Sequence, residues 1–69
     1  MLNDEQKLEI VNSRILVIDG IIYHLDLGII EEQAKAVPAI DLINDLNNQR
    51  NESLLALSAL ESVKESLLS

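Results

Sequence analysis

Apolar residues in the first half of the chain recur at alternating intervals of three and four residues. They form one series: Leu8, Val11, Ile15, Ile18, Ile22, Leu25 and Ile29. This spacing is typical of a helix that buries one apolar stripe against a neighbouring helix. It predicts a helix over about residues 4–33, whose stripe we call the seam of the first helix.

A row of polar residues supports the same helix. Glu5, Asn12, Asp19, Asp26 and Gln33 follow one another at intervals of seven residues. A polar row of this kind indicates a helical surface that faces water. We expect it to lie opposite the seam, in solvent.

The central segment, residues 14–25, has an alternative interpretation as a β-hairpin. It is rich in β-branched residues, and Asp19-Gly20 between apolar runs is typical of a two-residue hairpin turn. Such a ribbon would be apolar on both faces and would need cover that this short chain can hardly supply. We therefore favour the helix, in which Gly20 costs about 1 kcal/mol relative to alanine and suggests close approach of a neighbouring backbone.

The dipeptide Val37-Pro38 marks the boundary between two halves of the chain. Proline disfavours helical geometry at the preceding residue and is well suited to the first turn of a new helix. The chain is therefore expected to turn between about Gln33 and Val37. In an alternative, Gly28 ends the first helix early through a left-handed cap.

A second helix is predicted over about residues 38–67. Its seam comprises Ala39, Ile43, Leu46, Arg50, Ser53, Leu57, Leu60 and Leu67. Seven consecutive polar residues at 47–53 interrupt the apolar pattern. We interpret them as a solvated stretch of continuous helix; the alternative is a break, with Asn51 or Ser53 capping a third helix.

These elements predict an all-α fold and a single domain over residues 1–69. The two long helices, of similar length, would form an antiparallel hairpin with coiled-coil-like packing. Residues that face each other across the hairpin would then have numbers that add up to about 71. In that register Arg50 lies near Gly20 and Ile21, where it would pair with Asp19 or with an acid of a neighbouring chain.

Composition indicates that this domain needs a partner. The chain has 69 residues, 48% of them hydrophobic, with no cysteine and one histidine. Small domains with too little core are usually stabilised by disulfides, a metal ion or another chain. Neither a disulfide nor a metal site can be assembled here, so we expect a homo-oligomer or a complex with another protein, and no cofactor.

Charge narrows the class of partner. Twelve acidic residues against five basic ones give a net charge of −7, and the basic residues are scattered along the chain. Binding to nucleic acid or to an anionic membrane is therefore disfavoured. Residues 15–30 contain Asp19, His24 and Asp26, too many polar groups for a membrane span. Residues 1–5 lack the features of a secretory signal, so a cytoplasmic location is expected.

The chain contains few residues of the types that commonly carry out catalysis. With one histidine, no cysteine and no glycine-rich phosphate loop, no nucleophile, acid–base or metal template can be assembled within the chain. We expect a non-enzymatic protein without a small-molecule substrate. His24 is interpreted as a polar residue at the edge of an interface, in preference to a ligand or a pH switch.

A second apolar row, Leu16, Tyr23 and Ile30, runs beside the seam of the first helix, and further apolar residues widen it. One helix from the same chain cannot cover so broad a face. The partner is either further copies of the chain or a different protein, and the pattern leaves both open. The predicted interface residues are Leu8, Val11, Ile15, Ile18, Ile22, Tyr23, Leu25, Ile29, Arg50, Leu57 and Leu60. Among them we expect Tyr23 to anchor the interface and Arg50 to set its register.

The segment Asp4-Glu-Gln-Lys-Leu-Glu-Ile-Val-Asn-Ser-Arg-Ile-Leu16 resembles the start of small helical proteins encoded by tailed bacteriophages, including short tail-fibre assembly chaperones. The resemblance implies a virion-associated or assembly-accessory helical protein, located in the host cytoplasm or in the virion. It covers about a dozen residues and carries no motif, so no functional residue is transferred.

Two functions are consistent with these observations. The first is a small structural or assembly subunit that buries the apolar face of its first helix against other chains. The alternative is an acidic regulatory inhibitor or antitoxin-like protein that occupies a basic site on a target, through Asp41, Asp45, Glu61 and Glu65.

Overall fold

A computed structural model describes all 69 residues as a hairpin of two long helices. Helix α1 comprises Asp4–Gln33 and α2 comprises Ile40–Leu68. The two helices pack against each other and no strand is present. The predicted all-α helical hairpin is confirmed, and the β-hairpin alternative at 14–25 is wrong. Those residues stay helical because the helix places Ile15, Ile18, Ile22 and Leu25 on one side, toward α2.

Helix α1 begins with a complete capping box. The Gln6 backbone N–H donates to Asn3 Oδ1 at 2.8 Å, and the Asn3 backbone N–H donates to Gln6 Oε1 at 3.0 Å. Two backbone N–H groups at the start of α1 thereby have hydrogen-bond acceptors. The helix continues through Gly28, and no residue has a positive φ angle. The predicted early end of α1 at Gly28 is therefore wrong.

The two seams face each other between the helices. In α1 all seven predicted seam residues are at least partly buried, and Val11 is only 8% exposed. In α2 the partly buried positions that form the seam are Ile43, Leu46, Arg50, Ser53, Leu57, Leu60, Lys64 and Leu67. The seam of α2 thus includes Lys64, whereas Ala39, predicted as its first member, is exposed at the N-cap.

Helix α2 is continuous through its polar centre. Residues 47–53 are helical, so the predicted solvated stretch of continuous helix is confirmed, and the alternative of a break with a third helix is wrong. Arg50 and Ser53 are partly buried at seam positions, while the other five polar residues are exposed. The helix therefore points its polar side chains mainly into water and needs no break.

The register of the hairpin differs from the prediction. Arg50 Nε lies 2.6 Å from Asp26 Oδ1, five residues farther along α1 than the expected position near Gly20 and Ile21. Pairing of Arg50 with Asp19 was therefore wrong for this chain. A heptad seam looks the same after each repeat, so it does not define which repeats face each other. The connection 34–39 decides this, because α2 begins at Ile40 and leaves Pro38 outside the helix.

The position of Asp26 differs from the one expected for the polar row, which was predicted to lie opposite the seam. It lies four residues after Ile22, which is about 40° around an α-helix from the seam. Its side chain is 39% exposed and reaches Arg50, whose side chain is 37% exposed. This part of the polar row therefore flanks the seam and does not lie opposite it.

Glu32 holds the connection between the helices. Its carboxylate accepts the Ala39 backbone N–H at 2.9 Å and lies 2.7 Å from Lys35 Nζ. The N-cap Ala39 has no side-chain acceptor for the first N–H groups of α2. Glu32 instead accepts the N–H of Ala39 itself and so joins the end of α1 to the start of α2. The hydrogen bond from Lys35, followed by that from Ala39, lowers the pKa of Glu32 below its ordinary value of 4.5, against the opposing effect of burial.

The hairpin is thin and has a small core. It measures 53 × 17 × 14 Å, and its radius of gyration is 15.9 Å, against about 11 Å for a compact chain of this length. Its accessible surface is 5235 Å², roughly 900 Å² more than the scaling for a folded monomer of this mass gives. Val11 is its only buried apolar residue. Neither helix contains an apolar stretch sufficient to cross a membrane.

We predict that Asp26 and Arg50 are energetically coupled. In a double-mutant cycle with Asp26→Asn and Arg50→Gln, the coupling should be about 0.5–1 kcal/mol, as for partly exposed ion pairs. Urea unfolding at a fixed protein concentration measures it. The matched control is the cycle of Asp19→Asn with Arg50→Gln, which should show no coupling. Coupling to Asp19 in place of Asp26 would contradict the register described above.

We also predict a pH-dependent contribution from Glu32. Because its pKa is lower in the folded state, its charge stabilises the fold above pH 4.5, and this stabilisation disappears as the pH falls through the folded-state pKa. Glu32→Gln keeps an acceptor for Ala39 but removes the charge. The urea midpoint of the variant should lie below that of the parent at pH 7, and the two should converge as the pH falls through the folded-state pKa of Glu32.

Glu31→Gln serves as the control for this prediction, since Glu31 is an exposed neighbour. It should change the midpoint little over the same range of pH. A difference between parent and Glu32→Gln that stays constant from pH 7 down through the folded-state pKa would show that the charge is not the cause.

Candidate protein-docking surface

The structure separates the predicted interface residues into two groups. Ten of them lie at the seams between α1 and α2 and are at least partly buried within the chain: Leu8, Val11, Ile15, Ile18, Ile22, Leu25, Ile29, Arg50, Leu57 and Leu60. Tyr23 is the exception, with 63% of its surface exposed. A surface that can receive another protein must therefore be sought on the side of α1 where Tyr23 lies.

That side of α1 carries a continuous set of exposed apolar residues. Ile10, Leu16, Val17, Tyr23 and Ile30 are between 45% and 75% exposed, and two of them exceed 62%. We call these five residues, together with Gly20 among them, the outer face. At 1.5 Å per residue the outer face is about 30 Å long, and it points away from α2.

The position of this face corrects the expectation that Leu16, Tyr23 and Ile30 simply broaden the seam. Helical geometry rotates each residue by about 100°, so Leu16 and Tyr23 lie about 100–120° from Ile22 around the helix. With Val17 on the far side, the apolar residues surround most of α1. One partner helix covers the seam only, and the outer face stays exposed.

Charged residues are excluded from the middle of the outer face. Between residues 10 and 30 the charged side chains are Arg14, Asp19 and Asp26, and helical spacing places all three toward the flanks of the seam. Glu9 and Glu31 border the face at its two ends. The net charge of −7 thus does not prevent apolar contact in the middle.

Gly20 lies at the centre of the outer face. A Cβ atom built on Gly20 would meet nothing within 4 Å, so no part of the same chain comes close to it. The expected close approach of a neighbouring backbone at Gly20 does not occur within this chain. Gly28 differs, since an added Cβ would lie 3.6 Å from the Leu46 side chain, within the hairpin.

The molecule has no enclosed cavity for a small ligand. Its largest depression, of about 360 Å³, is lined by Glu9, Ile10, Ser13, Arg14 and Val17. All five belong to consecutive turns of α1, so the depression is a groove on the helix surface that overlaps one end of the outer face. Small-molecule sites, in contrast, are clefts that enclose most of their ligand.

The titratable groups form no cluster that could hold a metal ion, since no three or more His, Cys, Asp or Glu side chains are placed together for it. Glu32 has a lowered pKa, which often marks a functional site, but Lys35 and Ala39 account for it through the connection between the helices. His24 is exposed and lies within the outer face, about 40° around the helix from Gly20.

Two features were missed by the sequence reasoning. Glu32 was not singled out, although its position three residues after Ile29 continues the seam and places it beside the predicted turn. The second apolar row of α1 was recognised, but it was interpreted as a widening of the seam, and its position as a separate outer face was missed. Its signal was the seven-residue spacing of Leu16, Tyr23 and Ile30, one position after each of Ile15, Ile22 and Ile29.

Comparison of the chain with models of protein families, with curated proteins and with solved structures gives no match in any of the three.

Proposed function

We propose that this protein is a non-enzymatic interaction module, a small structural or assembly subunit that buries the outer face of α1 against other chains. The observation that supports this most directly is the exposure of the outer face, where Leu16, Val17, Tyr23 and Ile30 are each at least 60% exposed. Exposed apolar surfaces of this extent on small proteins mark protein contact sites.

The amount of surface agrees with this proposal. The chain exposes roughly 900 Å² more than a compact monomer of its mass, which is close to the 800 Å² or so that each partner buries in a standard protein interface. Tyr23 is the only aromatic residue of the chain. Tyrosine is enriched among residues that dominate binding energy, since its ring buries a large area and its hydroxyl keeps a hydrogen bond.

The resemblance in residues 4–16 to small phage proteins supports a more specific setting. In this proposal the protein works in the cytoplasm of an infected host or in the virion, as a particle subunit or an assembly factor. A two-helix rod 53 Å long with an exposed apolar face along one helix is well suited to such a role, because its contacts need neither catalysis nor a bound ligand.

An acidic inhibitor is the other candidate. Asp41, Asp45, Glu61 and Glu65 are exposed along α2, as such a function requires. Lys64, however, lies beside Glu61 and Glu65 in the same surface groove and offsets part of their charge. The acidic surface also leaves the exposed apolar residues of α1 unexplained. The structural or assembly subunit accounts for more of the molecule.

We predict that polar substitution of the outer face abolishes association without unfolding the hairpin. Leu16→Ser with Tyr23→Ser should keep the helical circular dichroism of the parent, since both residues point away from α2. Association, followed by light scattering over a concentration series, should weaken at least tenfold, which corresponds to about 1.4 kcal/mol. Seam variants such as Ile22→Asp are unsuitable here because they should disrupt the hairpin itself.

Leu55→Ser is the matched control, because Leu55 is 72% exposed on α2, as Leu16 is on α1. It should leave association nearly unchanged. Association that survives the outer-face variant, but weakens steeply with salt and disappears on neutralising Asp41, Asp45, Glu61 and Glu65, would replace this proposal with the acidic inhibitor.

A further inference from the structure

We infer that the outer face of α1 binds one α-helix of a different protein, an amphipathic helix whose apolar stripe has heptad spacing and whose flanks are basic. The inference rests on the proposed function and names the kind of partner. The bound helix would lie on the side of α1 that is turned away from α2, so that α1 becomes the middle one of three helices.

The outer face contains a row of residues with the spacing of a helix–helix contact. Its members follow one another at intervals of three, four, three, four and three residues: Ser13, Leu16, Gly20, Tyr23, Leu27 and Ile30. We call these six residues the outer row. A row with this spacing keeps to one side of a helix when that helix winds around a neighbouring helix. The spacing therefore identifies an α-helix as the element that can cover the outer row along its whole length.

The outer row is open to such a helix. Helical rotation places it about 140° around α1 from the seam, so α2 does not cover it. Leu16 is 72% exposed and Tyr23 is 63% exposed, and nothing lies within 4 Å of a Cβ position at Gly20. Only Leu27 is half-buried. From its first to its last member the row is about 26 Å long, the length of about 18 residues of a bound helix.

The outer row differs from the rows beside it in having no charged residue and no histidine. On one side, Arg14 and His24 interrupt the apolar residues Ile10 and Val17. On the other side lies the polar row of α1, which contains Asp19. Burial of a charged group without a partner is costly. A helix that docks on α1 is therefore expected to be centred on the outer row, with its flanks over these two neighbouring rows.

The charged residues of α1 are divided unequally around the helix. Lys7 and Arg14, its only basic residues, lie about 150–170° from the outer row, toward α2. Four exposed acids lie within about 70° of the outer row: Glu5, Glu9, Asp19 and Glu31. The surroundings of the outer row are therefore acidic, although the row itself is uncharged.

None of these four acids has an ion-pair partner within the chain. The two ion pairs of the structure involve other carboxylates, Glu32 with Lys35 and Asp26 with Arg50. Lysine or arginine on the flanks of a bound helix would supply the missing partners, as in heterotypic coiled coils. A second copy of this chain would instead bring four further acids to the same contact and a further net charge of −7. Charge thus favours a different, basic partner.

A synthetic helix tests the inference directly. The probe is a fluorescent peptide of about 21 residues, with leucine at the a and d positions of three heptads and lysine at e and g. Fluorescence anisotropy should show that it binds the full chain, and circular dichroism should show a gain of helix on binding. Two control peptides should bind at least about tenfold more weakly: one of the same composition with its leucines out of heptad spacing, and one with glutamate in place of lysine.

Each control peptide can overturn one part of the inference. Equal binding of the peptide without heptad spacing would show that charge by itself attracts the probe, so that no helix is recognised. Equal binding of the glutamate peptide would show that the partner need not be basic. Binding without a gain of helix would indicate an extended occupant and would also contradict the inference.

Variants of the chain locate the contact on α1. Leu16→Ser with Tyr23→Ser should abolish binding of the leucine–lysine peptide and keep the helical circular dichroism of the parent. Ile10→Ser with Val17→Ser, the same number of substitutions on the neighbouring row, is the matched control and should weaken binding less than about threefold. The reverse result would place the bound helix over the neighbouring row and overturn the inference.

The acids around the outer row give an independent measurement. Glu9→Gln with Asp19→Asn should weaken binding of the leucine–lysine peptide about fivefold at low salt, since two flanking partners are lost. Asp41→Asn with Asp45→Asn removes the same charge from α2 and should have a smaller effect. Added salt should reduce the difference between the two double variants. Equal losses in both would show that net charge, and not the flanks of the outer row, attracts the peptide.

The outcomes separate this inference from the proposed function. In light scattering, saturating leucine–lysine peptide should convert any self-association of the chain into a one-to-one complex. Self-association that the peptide does not displace, but that Leu16→Ser with Tyr23→Ser removes, would make a second copy the occupant; it would overturn this inference and leave the proposed function in place. If the same double variant changes neither association nor peptide binding, both fail.

Discussion

A two-helix hairpin can bury only one stripe of each helix, and this geometric limit determines the rest of the molecule. The seams of α1 and α2 meet along the hairpin, yet Val11 is the only apolar residue that becomes buried. A helix with apolar residues on most sides therefore stays half exposed after it has packed against its neighbour. The large outer face is a direct consequence of this fold, since no third element is available to cover it.

Polar contacts stabilise the alignment of the two seams. Apolar stripes with a heptad repeat attract each other in several registers, and the differences in burial between these registers are small. Arg50 at a seam position of α2 needs a carboxylate, and Asp26 provides it at 2.6 Å. Glu32 joins the end of α1 to the start of α2 through Ala39 and Lys35. This ion pair and the contacts of Glu32 thus stabilise the alignment that the connection 34–39 sets.

The seam and the outer face differ in the role that each can have. The seam explains why the chain folds into a hairpin, and the outer face is the surface on which the proposed binding to another chain rests. Helical spacing keeps the charged residues of α1 away from the middle of the outer face, so an acidic protein retains an apolar surface suitable for contact.

The sequence by itself determined the helices and the residues that face each other. Its intervals of three and four from Leu8 to Ile29 defined α1 and its buried stripe, because helical periodicity is a local property. Val37-Pro38 located the turn, because the restriction that proline places on the preceding residue is also local. Only the tertiary structure decided that Arg50 meets Asp26 rather than Asp19, that Glu32 accepts the N–H of Ala39, and that Tyr23 lies outside the hairpin. These depend on the length and path of the connection 34–39, which set the register between two repeating patterns that are locally equivalent.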